Sequence, residues 1–170
     1  MDSFKTYAAK AHAGQTRSDG SPYIAHPERV AANVEKFKKS KNLDALIKAA
    51  WLHDTIEDSD TTFEDLRKMF GGLVAGLVKE LTSDKGAIDK SNKTDYLKNK
   101  MVAMSSYALV IKLADRLDNV SDLKTAKTPA WAQKYKKETQ DILSHLVKNR
   151  QLSSTHKKLI KAINVKMNEI

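Results

Sequence analysis

A chain of 170 residues with 41% hydrophobic and 30% charged side chains has enough apolar content for a core, which excludes an intrinsically disordered chain. The absence of cysteine excludes a disulfide framework, a thiolate metal site and a cysteine nucleophile. No apolar run approaches the roughly 18 residues of a membrane span, and no apolar signal core follows Met1. We therefore expect one domain over residues 1–170, with a cytoplasmic location and no membrane partner.

The net charge of +9 is concentrated near the C-terminus. Residues 124–170 hold 11 Lys and Arg against 3 Asp and Glu, whereas the first 123 residues hold 19 against 18. Such an excess favours a polyanionic partner, either a phosphorylated nucleotide or RNA. It is also typical of solvated, lysine-rich surface helices, and we favour that interpretation over a nucleic-acid partner.

Helical patterns begin at the N-terminus. An alanine-rich segment predicts a helix over residues 4–13 that ends at Gly14, followed by a polar loop over 15–24. Pro27 suits the first turn of a second helix, whose apolar face holds Val30, Val34 and Phe37. After a polar break, Asn42 is a candidate cap for a third helix that we expect to continue to about residue 58.

The remainder of the chain continues the helical pattern. Thr62 and Asp65 resemble a capping box, and Thr128 followed by Pro129 predicts another helix start. Residues 83–94 are polar and are predicted as a loop. The other predicted helices cover residues 73–81, 95–104, 106–123 and 154–166. Together these segments predict an all-α domain of roughly eight or nine helices.

The central stretch 49–58 places an apolar run directly before one histidine and three carboxylates. These polar residues are His53, Asp54, Glu57 and Asp58. Because burying an unpaired charge is costly, such a cluster needs a compensating partner, and a metal cation is the obvious one. Residues four apart share one helix face, so Glu57 is expected near His53 and Asp58 near Asp54.

Two further segments offer ligands of the same chemistry. His26 lies at a loop-to-helix junction, and Asp115 shares a helix face with Asn119 and Lys112. Alone, His26 is compatible with a structural histidine, and Asp115 with a surface ion pair to Arg116. Two imidazoles and two carboxylates suit Mn²⁺, Fe²⁺, Co²⁺ or Zn²⁺, with positions left for water and substrate. The predicted ligands are therefore His26, His53, Asp54 and Asp115.

Four stretches resemble the HD-domain metal-dependent phosphohydrolases, and most closely the hydrolase domain of the Rel/Spo alarmone enzymes. They read HAGQTR at 12–17, GSPYIAHP at 20–27, HDTIED at 53–58 and KLADRLDN at 112–119. The resemblance covers about residues 8–123. It implies a compact helical HD domain, and the length of the chain leads us to expect a stand-alone small alarmone hydrolase.

The resemblance also implies residue roles and a reaction. His26, His53, Asp54 and Asp115 match the family's metal ligands, usually for Mn²⁺, and Glu57 and Asp58 match its catalytic acidic pair. Arg17 matches the arginine that packs on guanine, and Tyr23 and Asn119 match residues that line the nucleoside pocket. We add Lys112 to these candidate substrate contacts. The implied reaction removes the 3′-pyrophosphate from guanosine tetraphosphate or pentaphosphate and leaves GDP or GTP.

The chain departs from the family pattern close to the last ligand. Asp118 stands where a histidine is usual, Ser121 replaces an arginine, Asp122 replaces a threonine, and Ser18 replaces a basic residue. Added negative charge disfavours an anionic substrate. One alternative is therefore the same metal site acting on another phosphate ester, such as the NADPH 2′-phosphate or a nucleotide monophosphate. A second alternative is a non-catalytic nucleotide- or RNA-binding module, and an oligomer is compatible with any of these functions.

Overall fold

A computed structural model describes residues 3–90, 92–123 and 128–170. Within these ranges the chain forms eleven helices, nine of which have eight or more residues. The described residues outside the helices contain one isolated antiparallel bridge, between Thr16 and Pro22. The predicted all-α fold is confirmed, and the predicted number of helices corresponds to the nine longer ones. In this part of the chain, no helix is both long and apolar enough to cross a membrane.

The chain divides into two compact units, Met1–Thr82 and Ser83–Ile170. The first unit contains α1 (Ser3–Ala11), α2 (Ala25–Phe37), α3 (Leu43–Leu52), α4 (Thr55–Asp58), α5 (Phe63–Phe70) and α6 (Gly72–Leu81). Helix α3 is its centre, because it packs against α1, α2 and α6. Its last four residues, 49–52, are all buried. The expectation of one domain over residues 1–170 stays a prediction.

Local caps explain several helix ends in the first unit. The Thr62 hydroxyl accepts a hydrogen bond from the Asp65 amide, and the Asp65 carboxylate accepts one from the Thr62 amide, as predicted. The hydrogen bond from the Thr62 hydroxyl lowers the pKa of the Asp65 carboxyl. Gly71 ends α5 with a φ of 89°, a left-handed conformation that glycine adopts without steric cost.

The predicted continuous helix to residue 58 is wrong. Helix α3 ends at Leu52, and α4 begins at Thr55 after Asp54 adopts φ −99° and ψ −2°. The Thr55 hydroxyl donates to the Leu52 carbonyl oxygen at 2.8 Å, which satisfies one acceptor at the end of α3. The apolar spacing extends through this break, so periodicity alone does not report it. His53 and Asp54 consequently lie between two helices.

The second unit contains α7 (Lys85–Lys90), α8 (Lys93–Ala103), α9 (Ser106–Ser121), α10 (Pro129–Asn149) and α11 (Ser154–Asn168). Helix α9 packs against α11, and α8 packs against α7 and α10. Eleven of the 16 residues of α9 are buried. Ser105 and the predicted cap Thr128 each accept a hydrogen bond from a main-chain amide three residues later.

Helix α7 corrects the predicted loop over residues 83–94. The Asp84 carboxylate accepts a hydrogen bond from the Ala87 amide at 3.0 Å, and the Tyr96 hydroxyl accepts one from the Asp84 amide at 2.8 Å. The first contact caps the short helix, and the second ties its start to α8. The tie to Tyr96 is a tertiary contact, so local composition does not predict it. Ser91 lies outside the described residues.

Arg116 connects α9 to α10 in the interior of the second unit. It is 4% exposed and donates to Glu138 Oε1 at 3.3 Å and to Thr139 Oγ1 at 2.9 Å. Its guanidinium carbon lies 4.8 Å from the centre of the Tyr135 ring, a cation–π contact. Burial raises the pKa of the Tyr135 hydroxyl. Arg116 is thus a buried interhelical link rather than the surface partner of Asp115.

Arg150 supports the end of α8 through main-chain carbonyls. Its Nη1 donates to Met101 O at 3.2 Å and to Val102 O at 3.0 Å, and it also bonds to Met104 O. Replacing Arg150 with methionine removes these charge-assisted hydrogen bonds. We expect Arg150→Met to lower the free energy of unfolding by about 1.5–3 kcal/mol in urea titrations.

Arg67→Met is the matched control for this change. Arg67 is exposed and pairs with Glu64 at 2.7 Å on the surface of α5, so its loss is expected to leave the free energy of unfolding near the wild-type value. Equal losses of stability in the two variants would contradict the assigned role of Arg150.

Candidate functional site

His53 is held by the last turn of α3. Its Nδ1 lies 2.7 Å from the carbonyl oxygen of Ala50. A carbonyl only accepts hydrogen bonds, so Nδ1 carries the proton and the neutral ring has its lone pair on Nε2. Metal-binding histidines in proteins are commonly oriented in this way by a main-chain carbonyl. With only 2% of the side chain exposed, the ring has a single orientation available to it.

Asp54 brings a carboxylate to the same point. Its Oδ2 lies 2.9 Å from His53 Nε2 and 3.8 Å from His26 Nε2, and the two imidazole rings are 5.2 Å apart. The Tyr23 hydroxyl donates to the same Oδ2 at 2.6 Å. The first unit therefore brings three of the four predicted ligands together, with Tyr23 beside them.

This arrangement fits a divalent metal ion. Two imidazole nitrogens and a carboxylate oxygen form a mixed donor set that first-row divalent ions accept. The Nδ1 proton of His53 is already committed to Ala50, so Nε2 is the nitrogen available as a ligand. The donor chemistry and the fixed tautomer thus agree with the metal predicted from the sequence.

The acidic pair Glu57 and Asp58 follows these ligands on α4. The Asp58 amide donates to the Asp54 carbonyl oxygen at 2.9 Å, which keeps the four-residue spacing expected from a helix. Glu57 is half-buried and Asp58 is exposed. The end of this single turn is bound from outside the helix: Ser59 Oγ donates to Thr55 O at 2.7 Å, and Gln15 Nε2 donates to Asp58 O at 2.8 Å.

Arg17 lies in the loop between α1 and α2. Its amide donates to Ser21 O at 2.8 Å, and its carbonyl accepts from the Gly20 amide at 2.9 Å. Gly20 has a φ of 83°, which lets the loop turn back on itself. Hydrogen bonds from Ser21 lower the pKa of the Asp19 carboxyl at the tip of this loop. The half-buried Arg17 side chain thus projects from an ordered turn.

Asp115 lies in the second unit, in the interior of α9. It is 6% exposed, and donors on its own helix bind both of its carboxylate oxygens. Lys112 Nζ donates to Oδ2 at 2.8 Å, and Asn119 Nδ2 donates to Oδ1 at 2.8 Å. The stripe predicted from the helical spacing of these three residues therefore forms a local network that orients the Asp115 carboxylate.

Three of the residues that depart from the family pattern lie on α9 or directly after it, in different environments. Asp118 is 3% exposed, so its carboxyl group lies in the interior of the protein. The Ser121 hydroxyl donates to Leu117 O at 2.8 Å on its own helix, and Asp122 is half-buried at the helix end.

Three histidines outside the ligand set have structural partners. His156 Nδ1 accepts from the Ser153 amide at 3.2 Å, and its Nε2 lies 2.9 Å from Ser106 O. His145 contacts Asn149 one helical turn away. His12 lies beside Gln15 and packs against the Tyr23 ring at 4.8 Å. Gln15 lies within one of the family motifs, but the sequence indicated no role for it. Its hydrogen bond to the Asp58 carbonyl oxygen joins residues 43 apart, and spacing does not predict such a contact.

Comparisons with known proteins show the family of the chain. The HD-domain family profile matches residues 5–151. A zebrafish protein named guanosine-3′,5′-bis(diphosphate) 3′-pyrophosphohydrolase MESH1 is 36% identical over 144 residues, covering 84% of this chain and 79% of the relative. The human protein of the same name is 35% identical over 162 residues, covering 91% and 89%.

Solved structures extend the comparison to the fold. A structure described as a metazoan ortholog of SpoT that hydrolyzes ppGpp superposes with a TM-score of 0.81 at 31% identity, over 98% of this chain and 92% of the other. A protein from Listeria monocytogenes shares the fold alone, with a TM-score of 0.65 at 21% identity. From the extent of these matches, the chain belongs to the HD-domain family, together with the MESH1 proteins.

Proposed function

We propose that this chain is a guanosine-3′,5′-bis(diphosphate) 3′-pyrophosphohydrolase that uses Mn²⁺. The observation that carries the proposal is the convergence of His26, His53 and Asp54, whose nearest pair of ligand atoms is 2.9 Å apart, in a chain related to named enzymes of this activity. The substrate class comes from the relatives, and the metal chemistry is supported by the side chains. The expected cytoplasmic location and an oligomeric state stay predictions.

Asp115 is the proposed fourth ligand, on the strength of its match to the family motif. Its carboxylate is held by Lys112 and Asn119, so its orientation on α9 is fixed by its own helix. The imidazole and carboxylate donors are compatible with Mn²⁺. A bound divalent ion supplies charge neutralisation at a phosphoryl group and lowers the pKa of a bound water.

Glu57 and Asp58 are the proposed proton-transfer groups. Helix α4 begins immediately after the ligand Asp54, so the polypeptide itself keeps these two carboxylates near the ligands. One carboxylate accepts a proton from the attacking water, and the other donates one toward the leaving oxygen. Substituting Glu57 and Asp58 separately distinguishes the proton acceptor from the proton donor.

The proposed substrate contacts are Arg17, Tyr23, Lys112 and Asn119. A planar guanidinium stacks well on a purine, and Arg17 is carried by an ordered loop that presents it at the surface of the first unit. Lys112 and Asn119 carry hydrogen-bond donors next to Asp115. Tyr23 also acts through Asp54, because its hydroxyl donates to that carboxylate.

A nucleotide panel tests the substrate. With Mn²⁺ present we expect the purified protein to release pyrophosphate and GDP from guanosine tetraphosphate, at a kcat/KM above that for NADPH or a nucleoside monophosphate. Removal of the metal with a chelator should abolish turnover. A higher kcat/KM for NADPH would select the alternative substrate suggested by Asp118, Ser121 and Asp122, and turnover of none of them would overturn a hydrolytic function.

Two isosteric substitutions separate metal binding from proton transfer. Asp54→Asn should lose both bound metal and turnover, because it removes a ligand charge. Glu57→Gln should keep the metal while kcat falls by about 10²–10⁴-fold. Metal content and steady-state kinetics measure both effects. Asp44 and Glu64 are both exposed, so Asp44→Asn and Glu64→Gln are matched controls that should behave as wild type. An active Asp54→Asn enzyme would refute the ligand assignment.

Tyr23→Phe tests the orientation of Asp54. Loss of the 2.6 Å hydrogen bond leaves the carboxylate less restricted, so we expect metal affinity to fall by about 10- to 100-fold. Titration with Mn²⁺ measures this affinity. Tyr96→Phe also removes a hydroxyl contact, but one that supports α7 in the second unit. The Mn²⁺ affinity of Tyr96→Phe should match wild type. An unchanged Mn²⁺ affinity in Tyr23→Phe would show that Tyr23 acts on the substrate alone.

A further inference from the structure

Gln15 links three segments of the first unit. Its Nε2 donates to the Asp58 carbonyl oxygen at 2.8 Å, and its Oε1 accepts from His12 Nδ1 at 2.8 Å. Its own carbonyl oxygen accepts from the Tyr23 amide at 2.9 Å. Because the Asp58 carbonyl only accepts hydrogen bonds, the amide orientation of Gln15 is determined, and with it the proton on His12 Nδ1.

The contact with Asp58 matters because α4 has only four residues. A single helical turn is not stable by itself, since its nucleation cost is repaid only by further turns or by tertiary contacts. Its last carbonyls also lack partners within the helix. The Ser59 hydroxyl, in the following turn, donates a hydrogen bond to the Thr55 carbonyl oxygen. Gln15, 43 residues away in the sequence, donates one to the Asp58 carbonyl oxygen. Gln15 thus ties the acidic turn to the loop between α1 and α2.

The other side of Gln15 leads to the ligand Asp54. The His12 ring that it binds packs against the Tyr23 ring with centroids 4.8 Å apart, and the Tyr23 hydroxyl donates to Asp54 Oδ2 at 2.6 Å. The main-chain bond from the Tyr23 amide to Gln15 reinforces this arm. One side chain therefore connects the turn that carries Glu57 and Asp58 with the tyrosine that orients a metal ligand.

We propose that Gln15 is a positioning residue for the hydrolytic reaction, fixing the acidic turn of α4 relative to the Tyr23–Asp54 pair. The inference rests on the proposed function. Glutamine suits this position because it combines a donor for Asp58 and an acceptor for His12 at the end of one side chain. Glutamate keeps the acceptor and loses the donor, and methionine keeps the length and loses both.

Kinetics of Gln15→Met and Gln15→Glu test the proposal. Because a misplacement of about 1 Å costs on the order of 100-fold in rate, we expect kcat to fall about 10- to 100-fold in both variants. KM and bound Mn²⁺ should stay near wild type, because the hydrogen bond from Tyr23 to Asp54 does not involve the Gln15 side chain. Gln15→Glu should be the slower enzyme, since its carboxylate faces the Asp58 carbonyl oxygen. A wild-type kcat in Gln15→Glu would overturn the proposal. This result is decisive even if Gln15→Met fails to fold.

Hydrogen exchange gives a readout that does not depend on activity. The amides of residues 55–59 should exchange faster in Gln15→Met than in wild type, because the end of α4 is released. Tyr7→Phe is the matched control: it removes a 3.2 Å hydrogen bond from α1 to Thr61 just beyond α4 and should leave both kcat and exchange in α4 unchanged. Equal exchange and equal kcat in the Gln15 variants and wild type would refute the inference alone. An inactive wild type would instead refute the proposed function.

Discussion

The short contact between the Asp54 carboxylate and His53 Nε2 is the interaction on which the functional geometry of the first unit depends. A carboxylate oxygen 2.9 Å from an imidazole nitrogen, at the end of a fully buried helical segment, requires a cation or a proton to be stable. The surrounding contacts serve that requirement: Ala50 sets the tautomer of His53, and Tyr23 sets the rotamer of Asp54. Because α3 ends at Leu52, His53 and Asp54 lie beyond the end of this apolar helix.

The two units use different means to orient their polar groups. In the first unit, the proposed ligands His53 and Asp54 and the acidic residues after them occupy a helix break and a single turn, and contacts from the loop between α1 and α2 hold them in place. In the second unit, Asp115 lies within the 16-residue helix α9, and its neighbours Lys112 and Asn119 orient it along one face. Arg116 anchors that helix to α10 from the interior.

Sequence patterns predicted those features whose causes are local. The capping box of Thr62 and Asp65 and the cap at Thr128 depend on residues three apart, and spacing predicts such contacts. The metal-ligand candidates in the first unit were recognised because their residue types and motif context are distinctive. The break at His53 and helix α7 were missed, since one requires knowledge of main-chain geometry and the other a contact with Tyr96. The role of Gln15 was not predicted either, because its partner is a main-chain carbonyl group, which leaves no pattern in the sequence.

The hydrogen bond between His53 and Ala50 has a consequence for the divergence of such proteins. A main-chain carbonyl is present whatever residue occupies position 50, so the tautomer of His53 survives any substitution there that preserves the helix. Asp54, by contrast, relies on a side-chain hydroxyl, and a single mutation of Tyr23 removes that hydrogen bond. The two proposed ligands therefore differ in their tolerance of sequence drift. Substitutions along α3 that preserve the helix therefore leave the same imidazole nitrogen available.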